Sequence, residues 1–180
     1  MPAAVILAAG ASRRLGRPKQ LVEFDGEPLV HRIAKVALSA CDPVAVVTGA
    51  VPLEGALAAL PVALVDNVFW AEGIASSIRA GIAWATSADA VVLLTCDQVE
   101  LDSEHLCALI RASDGDRLAA SRYAGVLGIP AVFPRAFFPV LLALAGDHGA
   151  QPLLAPAVPV DWPQGARDLD SAADLRKLRY

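Results

Sequence analysis

Thirteen residues, Leu7-Ala-Ala-Gly10-Ala-Ser12-Arg-Arg14-Leu-Gly16-Arg-Pro18-Lys19, place small side chains, arginines and a lysine directly behind the apolar run 3–7. Such a string suits the binding of a nucleoside triphosphate. Glycine lets backbone N–H groups close on phosphate oxygens with no Cβ in the way, and Arg13, Arg14 and Lys19 bring the counter-charge. A plain polar loop between a strand and a helix uses glycine too, so the two glycines by themselves discriminate little. Two known phosphate loops do not fit. A Walker A loop has four residues between its glycines and a Lys-Ser/Thr pair behind the second, whereas five separate Gly10 from Gly16 and Arg17-Pro18 precede Lys19. A dinucleotide fingerprint wants three close glycines opening a helix, and Pro18 stands where that helix would run. P-loop hydrolysis and dinucleotide-dependent oxidoreduction are both disfavoured.

A second chemical group is Asp97, which follows the uncharged run 90–96 and so carries a carboxylate to the rim of an apolar strand. Mg²⁺ in nucleotidyl transfer is held by one or two carboxylates together with substrate phosphates and water. A helix N-cap or a turn uses aspartate equally well. A partner carboxylate for the ion would come from Asp168, Asp170 or Asp174, although acidic residues around a helix start are also favoured by its macrodipole without any metal. In Asn67-Val-Phe-Trp70-Ala-Glu-Gly73-Ile-Ala-Ser76-Ser77, Gly73 allows a sharp turn into a helix whose first N–H groups and hydroxyls can face a ligand phosphate. Trp70 reads as a core or lid aromatic. Gly146 and Gly149 flank Asp147 in a flexible turn, where His148 reads as exposed rather than catalytic. Among three histidines and three cysteines no Ser-His-Asp or Cys-His arrangement stands out.

The elements that must position these groups follow from the apolar pattern. Short continuous apolar runs at 3–7, 44–48, 62–65 and 90–94 predict parallel strands buried on both faces. Helices are expected between them at 29–39, 53–60 and 74–86. Beyond residue 94 the pattern predicts a helix near 103–111, a strand near 118–123, an extended piece around 131–133, a helix near 136–144 and an amphipathic terminal helix at 171–178. The fold class is therefore α/β, a single-domain Rossmann-like, doubly wound, mostly parallel sheet over residues 1–180 with helices on both faces. Its N-terminal part would bind the NTP and its C-terminal part the second substrate. The phosphate-type loop and Asp97 both fall at carboxyl ends of strands, where such sheets open their crevice.

With 180 residues, 56% of them hydrophobic and 19% charged, the chain supports one sizeable core. A net charge of −4 argues against nucleic acid as the main partner. Cys41, Cys96 and Cys107 are odd in number and lack metal-site spacing, which fits a reducing cytoplasm. No basic leader precedes the first strand and no apolar run reaches about 18 residues, so neither export nor membrane spanning is expected.

The first string resembles, almost position for position, the L-A-A/G-G-x-S-x-R-x-G-x-P-K motif of the MobA-like nucleotidyltransferases, whose loop wraps the triphosphate of an incoming NTP. Cys96-Asp97-Gln98-Val99 resembles the D-Q-P element with valine in place of proline, residues 168–175 resemble D-I-D-T-P-E-D-L, and 67–77 resemble N-x-x-W-x-x-G-x-x-x-S. The resemblance implies nucleotide binding by Leu7, Ala8, Ala9, Gly10, Ser12, Arg14, Lys19, Asn67, Gly73 and Ser77. It implies catalytic roles for Arg14, Lys19 and Asp97, with Mg²⁺ or Mn²⁺ on Asp97 and Asp170.

Two later segments, 120–135 and 144–154, look like the G-x-P-x-x-F and G-D-x-G-A-R elements of the MocA-like branch, which transfers CMP from CTP to molybdopterin. Acceptor contacts are then implied for Gln98, Gly128, Pro130, Gly146, Asp147 and Gly149. Gln151 stands where that branch has a basic residue. Ala9, in place of a second glycine, favours CTP over GTP. A molybdenum hydroxylase is the implied recipient of the product. Guanylyl transfer to the same acceptor, transfer to another phosphorylated acceptor, and a non-catalytic carrier of molybdenum cofactor are the alternatives.

Overall fold

The computed structural model describes residues 1–13 and 15–166; Arg14, Asp168, Asp170, Asp174 and the expected terminal helix 171–178 lie outside the described residues. Along the chain run β1 (Ala3–Leu7), a hairpin of β2 (Glu23–Phe24) and β3 (Glu27–Pro28), α1 (Leu29–Leu38), β4 (Val44–Thr48), α2 (Glu54–Leu57) and β5 (Ala63–Asp66). There follow α3 (Ile74–Trp84), β6 (Ala90–Thr95), α4 (Ser103–Ser113), β7 (Ala119–Tyr123), β8 (Val126–Pro134), α5 (Phe138–Leu142) and β9 (Val158–Asp161).

Seven strands make one sheet in the order β5-β4-β1-β6-β8-β7-β9. From β5 to β6 every pairing is parallel; β8 is antiparallel to both its neighbours, and β9 runs parallel to β7. α1, α2 and α4 cover the face that carries Ala4, Ile6, Val46 and Leu94. α3 and α5 cover the other, over Val5, Val47, Leu93 and Phe133. Continuous apolar runs are what strands covered on both sides require, and β1 and β4 are buried along their whole length. The chain leaves β1 for β4 and β5 on one side and returns as β6 on the other, so the order reverses at β1, the place where open α/β sheets form their crevice. Leu7 is in register with Val47 of β4 and Thr95 of β6, which levels the strand ends and sends the loops after β1 and β6 out side by side.

Three expectations are corrected, and one strand is added. β5 alternates between half-buried and exposed, with Leu64 40% exposed, because it is the edge of the sheet and not an inner strand. α2 closes after four residues, short of the Leu60-Pro61 step, where the residue before proline is pushed out of the α region. The extended piece at 131–133 is the end of a nine-residue strand whose earlier part was disguised by Gly128 and Pro130. β9, Val-Pro-Val-Asp, was not anticipated; it is an edge strand, where proline is tolerated.

α3 lies directly on β1 because Gly81 has no side chain: a Cβ there would sit 2.2 Å from Val5 Cγ1, which cannot swing aside. Gly81→Ala is expected to lower stability by about 1–3 kcal/mol, read by urea unfolding. Gly55→Ala on α2, where a Cβ meets nothing within 4 Å, should be neutral or stabilise by up to about 1 kcal/mol.

Candidate active site

The loop after β1 is held from inside by Gln20, a 1% exposed amide in the 3₁₀ turn Lys19–Leu21. Its Nε2 donates to the carbonyls of Ala8 at 2.7 Å and Gly10 at 2.6 Å, and its Oε1 accepts from Ser12 Oγ at 3.3 Å. Ser12 in turn accepts the Lys19 N–H at 3.0 Å and adopts a left-handed φ of 52°. With its carbonyls turned inward onto Gln20, the loop is free to turn backbone amides towards a ligand. The motif reading missed Gln20 as a staple; its signal was an uncharged amide directly behind the lysine, within reach of carbonyls that no strand pairs.

Lys19 Nζ stands 2.5 Å from Asp97 Oδ2, joining the loops after β1 and β6. The Asp97 side chain is 12% exposed, and its Oδ1 is buried with no hydrogen-bond partner among the described residues. A buried carboxylate oxygen left bare costs free energy unless a cation or donor completes it. Among the described residues no cluster of three metal-binding side chains exists; one carboxylate completed by substrate phosphates is the donor set that a hard divalent cation accepts in nucleotidyl transfer. Val99, in the place of the family's proline, is buried against Leu15, Val22 and Leu29, and its carbonyl accepts from Arg32 Nε at 3.2 Å, so packing fixes the turn. Burial first, and then the charge of Asp97, push the Cys96 thiol up to about 12, which leaves it a thiol and no nucleophile.

The loop after β5 and the first turn of α3 form the opposite wall. Gly73 has φ 113° and ψ 176°, and a Cβ there would lie 2.5 Å from the Gly146 carbonyl oxygen. That contact corrects the expectation that the N-terminal N–H groups of α3 face a phosphate. The Ala75 N–H donates to Gly146 O at 3.3 Å, and the Ile74 N–H points to Asp147 Oδ1 at 3.5 Å. Segment 144–149 therefore caps the helix.

Between these walls lies a cavity of about 570 Å³. It brings together Leu7, Ala9, Gly10, Ser12, Lys19, Gly73, Ser77 and Asp147 of the expected residues, with Arg13, Trp70, Glu72 and Thr95 beside them. Ala8, Asn67, Asp97, Gly146 and Gly149 are not among the residues that line it. Gln98 is not either: its Nε2 donates to the Ile129 carbonyl at 2.5 Å. Gly128 leaves room for the Tyr123 ring, and the Pro130 carbonyl accepts from Ser121 Oγ at 2.7 Å. These three residues join β6, β7 and β8.

The family model of the MobA-like NTP transferase domain matches residues 4–162. Purine catabolism protein PucB of Bacillus subtilis is 34% identical over 163 residues, 83% of this chain and 78% of its own. Nicotine blue oxidoreductase of Paenarthrobacter nicotinovorans is 34% identical over 192 aligned residues, 97% and 94%. A probable molybdenum cofactor guanylyltransferase of Synechococcus elongatus is 36% identical over 98 residues, about half of each chain at 53% and 50%. Among solved structures, Rv0371c of Mycobacterium tuberculosis H37Rv is 30% identical with a TM-score of 0.80 over 99% of this chain and 97% of that one. A manganese complex of the same protein aligns at 27% identity and TM-score 0.74, covering 98% and 96%. A nucleotidyl transferase of Methanothermobacter thermautotroptrophicus, 24% identical, shares the fold at TM-score 0.84 over 98% and 95%. Since the family match begins one residue into β1 and ends just past β9, taking in both loops that Lys19 and Asp97 join, this chain belongs to the MobA-like NTP transferase family and is a nucleotidyltransferase.

Proposed function

We propose that the protein transfers CMP from CTP to a phosphate of a molybdopterin-type acceptor and releases pyrophosphate. The observation that carries this reading is the Lys19–Asp97 pair, with Asp97 Oδ1 buried and without a partner among the described residues where the loops after β1 and β6 meet. An acceptor phosphate oxygen forms a bond to the α-phosphorus in line, the bond from that phosphorus to its bridging oxygen breaks, and the electron pair leaves with pyrophosphate. The attacking oxygen is already anionic, so no protein nucleophile or base is required. Lys19, Arg13 and, from the family motif, Arg14 neutralise the triphosphate, and the amides of the stapled loop fix its position. Asp97, with Asp170 from the motif, would hold Mg²⁺ or Mn²⁺. A divalent ion so bound supplies charge neutralisation on the α-phosphate and the leaving group.

Ala9 supports CTP: its buried methyl lies on the cavity surface and takes space that glycine would leave to a purine. The acceptor rests on the MocA-like motifs and on the relative named for molybdenum cofactor, with Asp147 the acceptor-side residue on the cavity wall. Gln98, Gly128 and Pro130 tie β6, β7 and β8 together and do not line the cavity. Delivery to a molybdenum hydroxylase in the cytoplasm completes the reading, and the free Cys41, Cys96 and Cys107 suit a reducing compartment. Guanylyl transfer from GTP is the second reading, favoured by the name of the Synechococcus relative.

Lys19→Ala and Asp97→Ala are each expected to slow pyrophosphate release by about 100-fold or more; turnover within about threefold of wild type would remove these residues from the chemistry. In thermal unfolding with Mg²⁺, CTP should raise Tm more than GTP, and the opposite order favours the second reading. Gln20→Ala should weaken triphosphate binding and cost about 1–3 kcal/mol of stability, because it strands two inward carbonyls. Calorimetric titration and urea unfolding measure the two effects separately.

A further inference from the structure

The strap 144–149, which brings Asp147 to the cavity, lies in no helix or strand. Between Leu141 of α5 and Ala150 no side chain is buried, and residues 145–148 are exposed. A stretch with so little apolar packing opens at small cost in free energy, so its place against α3 depends on hydrogen bonds. Among the described residues three such bonds join it to α3. The Ala75 N–H donates to Gly146 O at 3.3 Å and the Ile74 N–H points to Asp147 Oδ1 at 3.5 Å, both long. The third is short: Arg79 Nη1 donates to the Leu144 carbonyl at 2.7 Å, from a charged group.

Arg79 has a second contact on the opposite side. Its Nη2 donates to Glu72 Oε2 at 3.1 Å, and Glu72 lines the cavity in the loop after β5. With the arginine 31% and the glutamate 54% exposed, this ion pair adds little to stability. What it adds is geometry. A guanidinium holds its donors in one rigid plane, so the Leu144 carbonyl is placed at a fixed distance from both α3 and Glu72. Three residues further on, the same strap carries the Asp147 carboxylate.

We propose that Arg79 is a positioning residue for the second substrate: its fork sets the strap 144–149 against α3 and thereby places Asp147 on the cavity wall. This rests on the nucleotidyl-transfer reading, in which that part of the wall meets the acceptor.

Steady-state pyrophosphate release is measured with molybdopterin varied at saturating nucleotide, and then with the nucleotide varied at saturating molybdopterin. The proteins are wild type, Arg79→Gln, Arg79→Lys, Asp147→Ala and the double variant Arg79→Gln with Asp147→Ala. Arg79→Gln is expected to raise KM for molybdopterin about five- to tenfold, with kcat and the nucleotide KM within about twofold. Arg79→Lys keeps the charge beside Glu72 but loses the fork, and should show the same rise. With Asp147 already removed, Arg79→Gln should change KM for molybdopterin by less than about twofold, since no carboxylate is left to place. Equal rises in both KM values, full rescue by lysine, or a rise undiminished in the Asp147→Ala background overturns the proposal.

Amide hydrogen exchange reads the strap directly. Arg79→Gln should speed exchange across 144–149 and at residues 74 and 75 about tenfold and leave β1 and β6 within about twofold; unchanged exchange at 144–149 overturns the proposal as well. If wild type releases no pyrophosphate from molybdopterin with either CTP or GTP, the transfer reading fails and the acceptor role of Arg79 falls with it, while exchange still decides whether Arg79 holds the strap. Should Arg79→Gln fail to fold, Arg79→Lys carries the same comparisons.

Discussion

A carboxylate carried almost out of water at the end of an uncharged strand is the constraint to which the rest of the cleft answers. Asp97 leaves β6 behind six residues without a charge. Removing an ionised carboxylate from water is costly unless opposite charge and hydrogen bonds replace the solvent. Lys19 meets one oxygen. To do so the lysine must be held at the far end of the loop 8–19, whose described residues before the 3₁₀ turn Lys19–Leu21 lie in no helix or strand. Gln20 provides that hold by drawing the loop's own carbonyls inward, and the apolar contact of Leu15 with Val99 ties loop and turn together. The second oxygen of Asp97 is buried without a hydrogen-bond partner among the described residues, and the proposed cation is what would complete it.

The cleft is divided electrically. One wall carries Arg13 and Lys19; on the other, Glu72 and Asp147 line the cavity, with Glu72 paired to Arg79. A ligand with a polyanionic end and an uncharged ring is thus oriented before any specific contact forms. Positioning of this kind matters where the protein contributes no nucleophile and the reaction depends on alignment.

Much of this was legible in the sequence. β1, β4 and β6 could be read because strands covered on both faces need unbroken apolar runs, and Lys19 and Asp97 because charge at the end of such a run has few reasons to be there. β5 was misread since its composition is that of an inner strand while its place in the sheet is an edge. β9 was hidden by proline. The role of the α3 N-terminus was out of reach for a different reason: its occupant, Asp147, lies 73 residues away in sequence, and local pattern carries no information about such a contact. Gln20 was visible as a residue but not as a staple, because a neutral amide shows its purpose only when the carbonyls it gathers have been folded around it.

The docking of Gly146 and Asp147 onto α3 also bears on how the site comes into being. Synthesis runs from the N-terminus, so β1, Lys19, Asp97 and α3 all emerge before the segment that occupies the helix start. Until 144–149 arrives, the first amides of α3 have no partner in the finished arrangement and face water. A nascent chain at that stage has two places attractive to anions, one at each wall. The late arrival of a carbonyl and a carboxylate abolishes the second, so the cleft acquires its one-sided polarity only when the C-terminal half has closed on the first.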